Sequence, residues 1–227
     1  MNNFDYDISL YGHLVHDLVF EDFKRYQSVG GMGNVWNALI KIDSNLRINL
    51  QPTAIGNALI LIDKLKLEKV VSAKLNLKTR EPIIYSSHFH HIMYLNRLDD
   101  ISFIDNIKTG FISADITDDG TVDDDTLKKI DYLFISKKNL WIDVDKLSKI
   151  VKGWVILHYP GGSYTTNGVD SFEIPAIPLK NLNILGAGDI FASNFLYKRL
   201  YEEDIKKCVT FSHNNTTEML RERIVED

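Results

Sequence analysis

Two glycines and a carboxylate, Gly186-Ala187-Gly188-Asp189, stand directly before IFASNFLYKRL. Glycines free the backbone to turn tightly, and Ala192, Phe195 and Leu196 recur at helical spacing. The pattern predicts a helix packed on a core with its N-terminus pointing out. First-turn N–H groups and the positive end of the helix dipole then converge on one point, where a phosphate charge is stabilised. Asp189 beside them is of the type that takes a proton from an attacking hydroxyl. Anion donors next to a general base are the parts that phosphoryl transfer needs. The bland reading of the same residues is a glycine-eased loop-to-helix junction with an acidic first turn.

This segment resembles the signature of the ribokinase-like (PfkB) carbohydrate kinases, Asp-Thr-x-Gly-Ala-Gly-Asp. The resemblance implies that Asp189 is the catalytic base and that Gly186, Ala187 and Gly188 form the anion hole. Asn183 and Ile184 stand where the family usually has Asp and Thr, positions associated with the nucleotide phosphates and nearby cations, and the resemblance implies that Asn183 contacts the nucleotide. A second element falls in family order near the N-terminus. Residues 30–39 read GGMGNVWNAL, with Val35, Ala38, Leu39 and Ile42 on one helical face. In the family a Gly-Gly followed closely by Asn marks the sugar loop, which implies that Gly30, Gly31 and Asn34 bind the acceptor. The compact spacing is similar to that of the heptose-phosphate kinase branch. Asp17, at the end of a first strand, matches an Asp that binds sugar hydroxyls. Two short motifs in family order are less accidental than either alone.

The elements needed to position these residues are legible as an alternation of patterns. DISLYGHLV reads as a strand, GNVWNALIKI as a helix and RINLQPTAI as a strand. Residues 58–97 are rich in β-branched and aromatic types with no clear helix. GFISADIT, YLFIS and WVILHY then read as strands alternating with the short helices DDTLKKI and VDKLSKIVK. A hairpin-like stretch, GGSYTTNGVDSFEI, leads to the signature helix and to a last helix from about Glu202 to Glu222. The fold expected is α/β, a ribokinase-like, mostly parallel central sheet flanked by helices, with residues 1–227 as one domain. The resemblance adds a small β-rich lid over the sugar, its strands within 18–29 and 80–97. Such a lid excludes water that would compete with the sugar hydroxyl. The alternative is that these strands extend the main sheet.

With 227 residues and 44% hydrophobic content, the chain can bury a substantial core. A net charge of -5 gives no electrostatic footprint for nucleic acid. No apolar run reaches membrane-spanning length, and the polar start MNNFDYD does not read as a signal peptide. The one cysteine, Cys208, fits a reducing cytoplasm and reads as a packing residue of the last helix. DDD at 123–125 reads as a solvated helix start.

Other positions depart from the family. Lys137 to Trp141 follow YLFIS where an Asn-x-x-Glu motif would help organise Mg²⁺ and phosphate, so the metal is held differently or not at all. In place of a Thr-x-Gly turn near the nucleotide the chain has His158-Tyr159-Pro160-Gly161-Gly162, in which Gly161 and Gly162 still allow backbone to approach a phosphate while Pro160 lacks a donor. Only 38 residues follow Asp189, so by resemblance the adenine pocket is either shortened or completed by another subunit. His88 and His90 share one strand face and His91 the other, which is short of the four ligands of a closed zinc site; no metal site is expected there. His13 and His16 flank the sugar loop.

Three readings follow. The first is a kinase using ATP and Mg²⁺ on a sugar or sugar phosphate, associating as a homodimer through its β-rich patch. The second is a degenerate relative that binds a sugar or nucleotide without turnover. The third is an unrelated α/β protein. The first requires Asn34 and Asp189, distant in sequence, to face one cleft, since an acceptor hydroxyl must come within hydrogen-bond distance of its base.

Overall fold

The computed structural model describes residues 4–21, 24–63, 68–78, 81–117, 121–136, 143–176 and 183–223. In chain order its elements are β1 (Tyr6–Glu21), β2 (Lys24–Gly31), α1 (Met32–Ile42), β3 (Ile48–Asp63), β4 (Glu68–Lys78), β5 (Ser87–Ile92), β6 (Phe111–Ile116), α2 (Asp124–Leu127), β7 (Tyr132–Ser136), α3 (Val144–Ser148), β8 (Trp154–Tyr159), β9 (Gly162–Thr166), β10 (Ser171–Pro175), α4 (Ala187–Arg199) and α5 (Ile205–Glu222). Two 3₁₀ turns, Leu95–Arg97 and Ser102–Asn106, lie between β5 and β6. The chain divides into two compact units: residues 1–12, 45–51 and 81–176, and residues 13–44, 52–80 and 177–227.

The first unit is the α/β part. Its sheet runs β10-β9-β8-β7-β6-β5-β1, with the start of β3 beyond β1. The ladders from β1 through β5, β6 and β7 to β8 are parallel, and β9 and β10 add an antiparallel meander. Strands such as YLFIS are almost continuously buried, as parallel strands covered on both faces must be. On one face Ile92, Ala114, Leu133 and Val155 meet Leu127 and Ile130 at the end of α2, with Val144 and Leu147 of α3 against them. Both short helices begin on aspartate caps: Asp123 accepts from Thr126 N at 2.8 Å and Asp143 from Lys146 N at 3.0 Å. The DDD run is therefore a capped helix start.

Of the two stretches expected to supply lid strands, 18–21 and 24–29 of the first lie on β1 and β2, but 87–92 of the second is β5, an interior parallel strand between β1 and β6. Its histidines read as polar lid residues in sequence, yet His90 and His91 are fully buried. Each finds a polar partner that sequence does not show. His90 Nδ1 lies 3.1 Å from the Tyr11 hydroxyl, and His91 Nδ1 lies 2.9 Å from Ser113 Oγ.

The second unit holds the later parts of β1 and β3. Strand β2 pairs antiparallel with β1 from Leu14↔Gly31 to Glu21↔Lys24, and β4 pairs antiparallel with β3. Val15, Val19, Ala58, Ile60 and Ile62 form the inner face of these strands, packed with Leu185. Phe20, Val29, Ile55, Leu59 and Leu61 remain exposed, and Val70 is 66% exposed. Helices α1, α4 and α5 pack together through Ala38, Ile190, Met219 and Leu220. Every residue of α4 from Asp189 to Leu196 is buried, which accounts for its small and apolar sequence. Cys208 is buried in α5, its thiol pushed up to about 11 by desolvation, as suits packing.

Burial also lowers three histidines, His90 to about 4, His91 to about 3 and His213 to about 4. Each is neutral in the fold at neutral pH but gains a proton when unfolded near the ordinary value of about 6.5. The unfolded chain therefore binds more protons, and stability falls as pH drops from about 6.5 toward the folded values, by up to about 1.4 kcal/mol per histidine per pH unit. In NMR titrations three of the seven histidines should hold their neutral ring shifts down to about pH 5. Seven midpoints near the ordinary value would contradict this.

Candidate functional site

The site residues of the second unit gather where the chain turns into α4. Asn183 Oδ1 accepts from Leu185 N at 2.9 Å, and Ala187 N donates to Ile184 O at 3.0 Å. These two bonds fold residues 183–187 into a tight turn that ends on Gly186, the N-cap of α4. Gly186 has φ 71°, a left-handed conformation that glycine adopts without strain. A Cβ there would also come within 3.0 Å of the Asn34 amide. Arg223, following α5, donates from Nη1 to Leu185 O at 2.6 Å and braces the turn from a third element.

Asp189 follows in the first turn of α4 and is 6% exposed. Asn34, in the first turn of α1, donates from Nδ2 to Asp189 Oδ2 at 2.7 Å, joining residues 155 apart in sequence. The two residues that the kinase reading places on one cleft are in direct contact. The amide fixes the direction of one Asp189 carboxylate oxygen, so Asn34 orients that side chain as well as lying in the expected acceptor loop. Ser193 Oγ returns to Asp189 O at 2.6 Å and secures the same helical turn.

Asp17 lies on the inner face of β1 between Val15 and Val19 and is 4% exposed. Gly30 of β2 sits against it: a Cβ on Gly30 would fall 2.2 Å from Asp17 Oδ2. The glycine is what admits a carboxylate at this position. Gly31 is the N-cap of α1 and carries the chain from β2 into the helix that presents Asn34. Asp17, Gly30, Gly31, Asn34, Asn183 and Gly186 to Asp189 thus all belong to the second unit.

Gly161 and Gly162 belong to the first unit, at the turn between β8 and β9. Gly161 O accepts from Ala176 N at 2.9 Å, and a Cβ on Gly162 would lie 2.2 Å from Ile174 O. The close approach of β10 is a structural reason for glycine at 162. Residues 137–142, which contain the departure from Asn-x-x-Glu, lie outside the described residues. Among the described residues no group of three or more His, Cys, Asp or Glu is placed to hold a metal ion, and no helix is long and apolar enough to cross a membrane.

Asn183 does something the sequence did not suggest. Its Nδ2 donates to Glu21 Oε2 at 2.9 Å and to the Tyr26 hydroxyl at 2.5 Å, and that hydroxyl donates to Glu21 Oε2 at 3.1 Å. Glu21 follows Asp17 by four along a strand, and the period of two puts both on the inner face, which is the signal that could have found it. Two shallow hollows, of about 370 and 310 Å³, are lined by His16, Leu18, Arg25 and Asn57 and by Leu14, His16 and Val29. These β1 residues alternate with Asp17, so the hollows open on the face away from its carboxylate.

No family model matches the sequence, and no curated protein matches it. Solved structures do. A ribokinase from Thermotoga maritima superposes with a TM-score of 0.76 at 15% identity, covering 93% of this chain and 91% of that one. An adenosine kinase from Sinorhizobium meliloti gives 0.71 at 10% identity, with 95% and 94% covered. A pyrophosphate-dependent kinase in the ribokinase family, complexed with a pyrophosphate analog and myo-inositol, gives 0.65 at 17% identity, with 94% and 95% covered. The chain has the ribokinase fold, a mixed α/β architecture with a mostly parallel sheet.

Proposed function

We propose that this protein is a carbohydrate kinase that transfers the γ-phosphoryl group of ATP to a hydroxyl of a sugar or sugar phosphate. The observation that carries the proposal is the Asn34–Asp189 hydrogen bond, which joins the two glycine turns around one buried carboxylate. Asp189 removes the proton of the acceptor hydroxyl, whose oxygen forms a bond to the γ-phosphorus as the bond to the ADP oxygen breaks. Backbone N–H groups at the start of α4, with Gly188 foremost, face the charge on the transferring group. Ala187 N–H is engaged by Ile184 O and is the weaker member of that set. Asp17, Gly30, Gly31 and Asn34 orient the acceptor, and Gly161 and Gly162 of the first unit are proposed for the nucleotide. Mg²⁺ is commonly held by substrate phosphates, waters and one or two carboxylates. It would arrive with ATP and neutralise phosphate charge, and no residue of this chain is assigned to it.

The finer expectations are part of the same proposal. The compact Gly30-Gly31-x-x-Asn34 loop supports a heptose-phosphate type of acceptor, β1 with β2 supplies the lid of a single functional domain, and the lone cysteine supports a cytoplasmic location. The exposed apolar face around Leu59, Leu61 and Val70 is a liability that a second copy of the chain would cover. Sedimentation should show a dimer at micromolar concentration, and a monomer there would count against it.

The test is ATP consumption across sugars and sugar phosphates, with and without Mg²⁺. One observation favours a second reading, binding without catalysis: the Asn183 side chain is committed to Glu21 and Tyr26. Acceptor binding without turnover of ATP for any compound tested would replace the first reading with the second.

A further inference from the structure

We infer that Glu21, Tyr26 and Asn183 form a positioning latch, which ties β1 and β2 to the turn carrying the base, and that Glu21 is the reason residue 183 is an asparagine. The inference rests on the kinase reading for its effect on turnover and on geometry alone for its existence. Asn183 makes contacts of two kinds. Its Oδ1 accepts from Leu185 N at 2.9 Å and shapes the turn, while its Nδ2 supplies two donors outward, to Glu21 Oε2 and to the Tyr26 hydroxyl. The hydroxyl closes the ring by donating to Glu21 Oε2. Both amide hydrogens and the amide oxygen are therefore matched by groups of the opposite kind.

An aspartate at 183, the residue the family motif carries, has the same shape and would still accept from Leu185 N. As a carboxylate it could not donate. Its second oxygen would take the place of Nδ2, 2.9 Å from Glu21 Oε2, so the direct bond to β1 would be replaced by repulsion, and the single proton of the Tyr26 hydroxyl could serve only one of the two carboxylates. Two carboxylates that close cannot both stay ionised. Glu21 is 4% exposed, so water is a poor substitute partner. The turn would be kept in shape but pushed away from Glu21 and held to the strands through Tyr26 alone, and Gly186 to Asp189 would shift relative to the acceptor residues of β1 and α1. Small misplacements of reacting groups lower turnover more than affinity, because they act on the transition state.

The test is a double-mutant cycle of Asn183→Asp, Glu21→Gln and the pair, read by thermal melting and by kcat and KM with ATP and the best acceptor. Asn183→Asp should lower the melting midpoint and reduce kcat about tenfold or more, with KM changing less than about threefold. Adding Glu21→Gln restores a donor facing an acceptor with the polarity reversed, so the pair should melt higher than Asn183→Asp alone and recover kcat to within about threefold of wild type. If Asn183→Asp does not fold, Tyr26→Phe, which removes one hydroxyl, should lower kcat by about threefold with KM unchanged. Wild-type behaviour of Asn183→Asp, or a pair no better than that variant in either readout, would overturn the latch. A loss of melting midpoint with kcat unchanged would reduce it to a structural contact. If the wild type turns over no acceptor, the kinase reading falls, and rescue or no rescue of the melting midpoint still decides the latch.

Discussion

Asp189→Asn should lower turnover by about 10²–10⁴-fold while acceptor affinity changes little, as expected when a general base is lost from an otherwise intact site. The substitution keeps volume and shape. An asparagine can present its own oxygen to Asn34 Nδ2, so the 2.7 Å contact survives and α4 stays docked on α1. What disappears is the proton acceptor. Steady-state kinetics and calorimetric binding on the same preparation separate the two effects. Equal turnover by variant and wild type would remove Asp189 from its role, and a parallel collapse of binding and melting would show that its importance is structural.

Gly30→Ala should raise the acceptor KM by about tenfold or more, with a smaller fall in kcat. The new methyl would stand 2.2 Å from Asp17 Oδ2 and 2.8 Å from its Cγ, nearer than atoms can approach. The Asp17 side chain must rotate or β2 must move away. Either response displaces a carboxylate proposed to hold sugar hydroxyls before and during transfer, a loss of uniform binding that appears chiefly in KM. Because the obstructing atoms belong to the end of a side chain, the melting midpoint should fall by only a few degrees. An unchanged KM would argue that Asp17 does not touch the acceptor.

Much of this was legible in the sequence because the relevant signals are local. Glycine turns before helical runs located the starts of α1 and α4, although α4 is buried all round from Asp189 to Leu196 rather than on one face, and the alternation of strand and helix patterns marked the α/β unit. That Asn34 and Asp189 lie close together was anticipated from motif order rather than from any local property, but the hydrogen bond between them was not. The parts that were missed depend on distant partners. The first strand was read to carry Asp17 near its end and the lid strands were read within 18–29, but that β1 runs unbroken to Glu21 depends on β2, which supplies its ladder. HFHHI is polar for an interior strand, and the partners of its buried Nδ1 atoms, Tyr11 for His90 and Ser113 for His91, are not adjacent in sequence. Asn183 was read only as a nucleotide contact, and its bonds to Glu21 and Tyr26 were not legible because those partners lie about 160 residues upstream.

The central claim is that a phosphoryl group passes from ATP to a sugar hydroxyl with Asp189 taking the proton. It is tested most directly by mass spectrometry of the acceptor after incubation with ATP, Mg²⁺ and either wild type or Asp189→Asn. The account predicts that the wild type yields an acceptor heavier by one phosphoryl group, in step with ADP formation, and that the variant yields almost none. ADP formed without a phosphorylated acceptor, or the same product formed equally fast by both proteins, would contradict it.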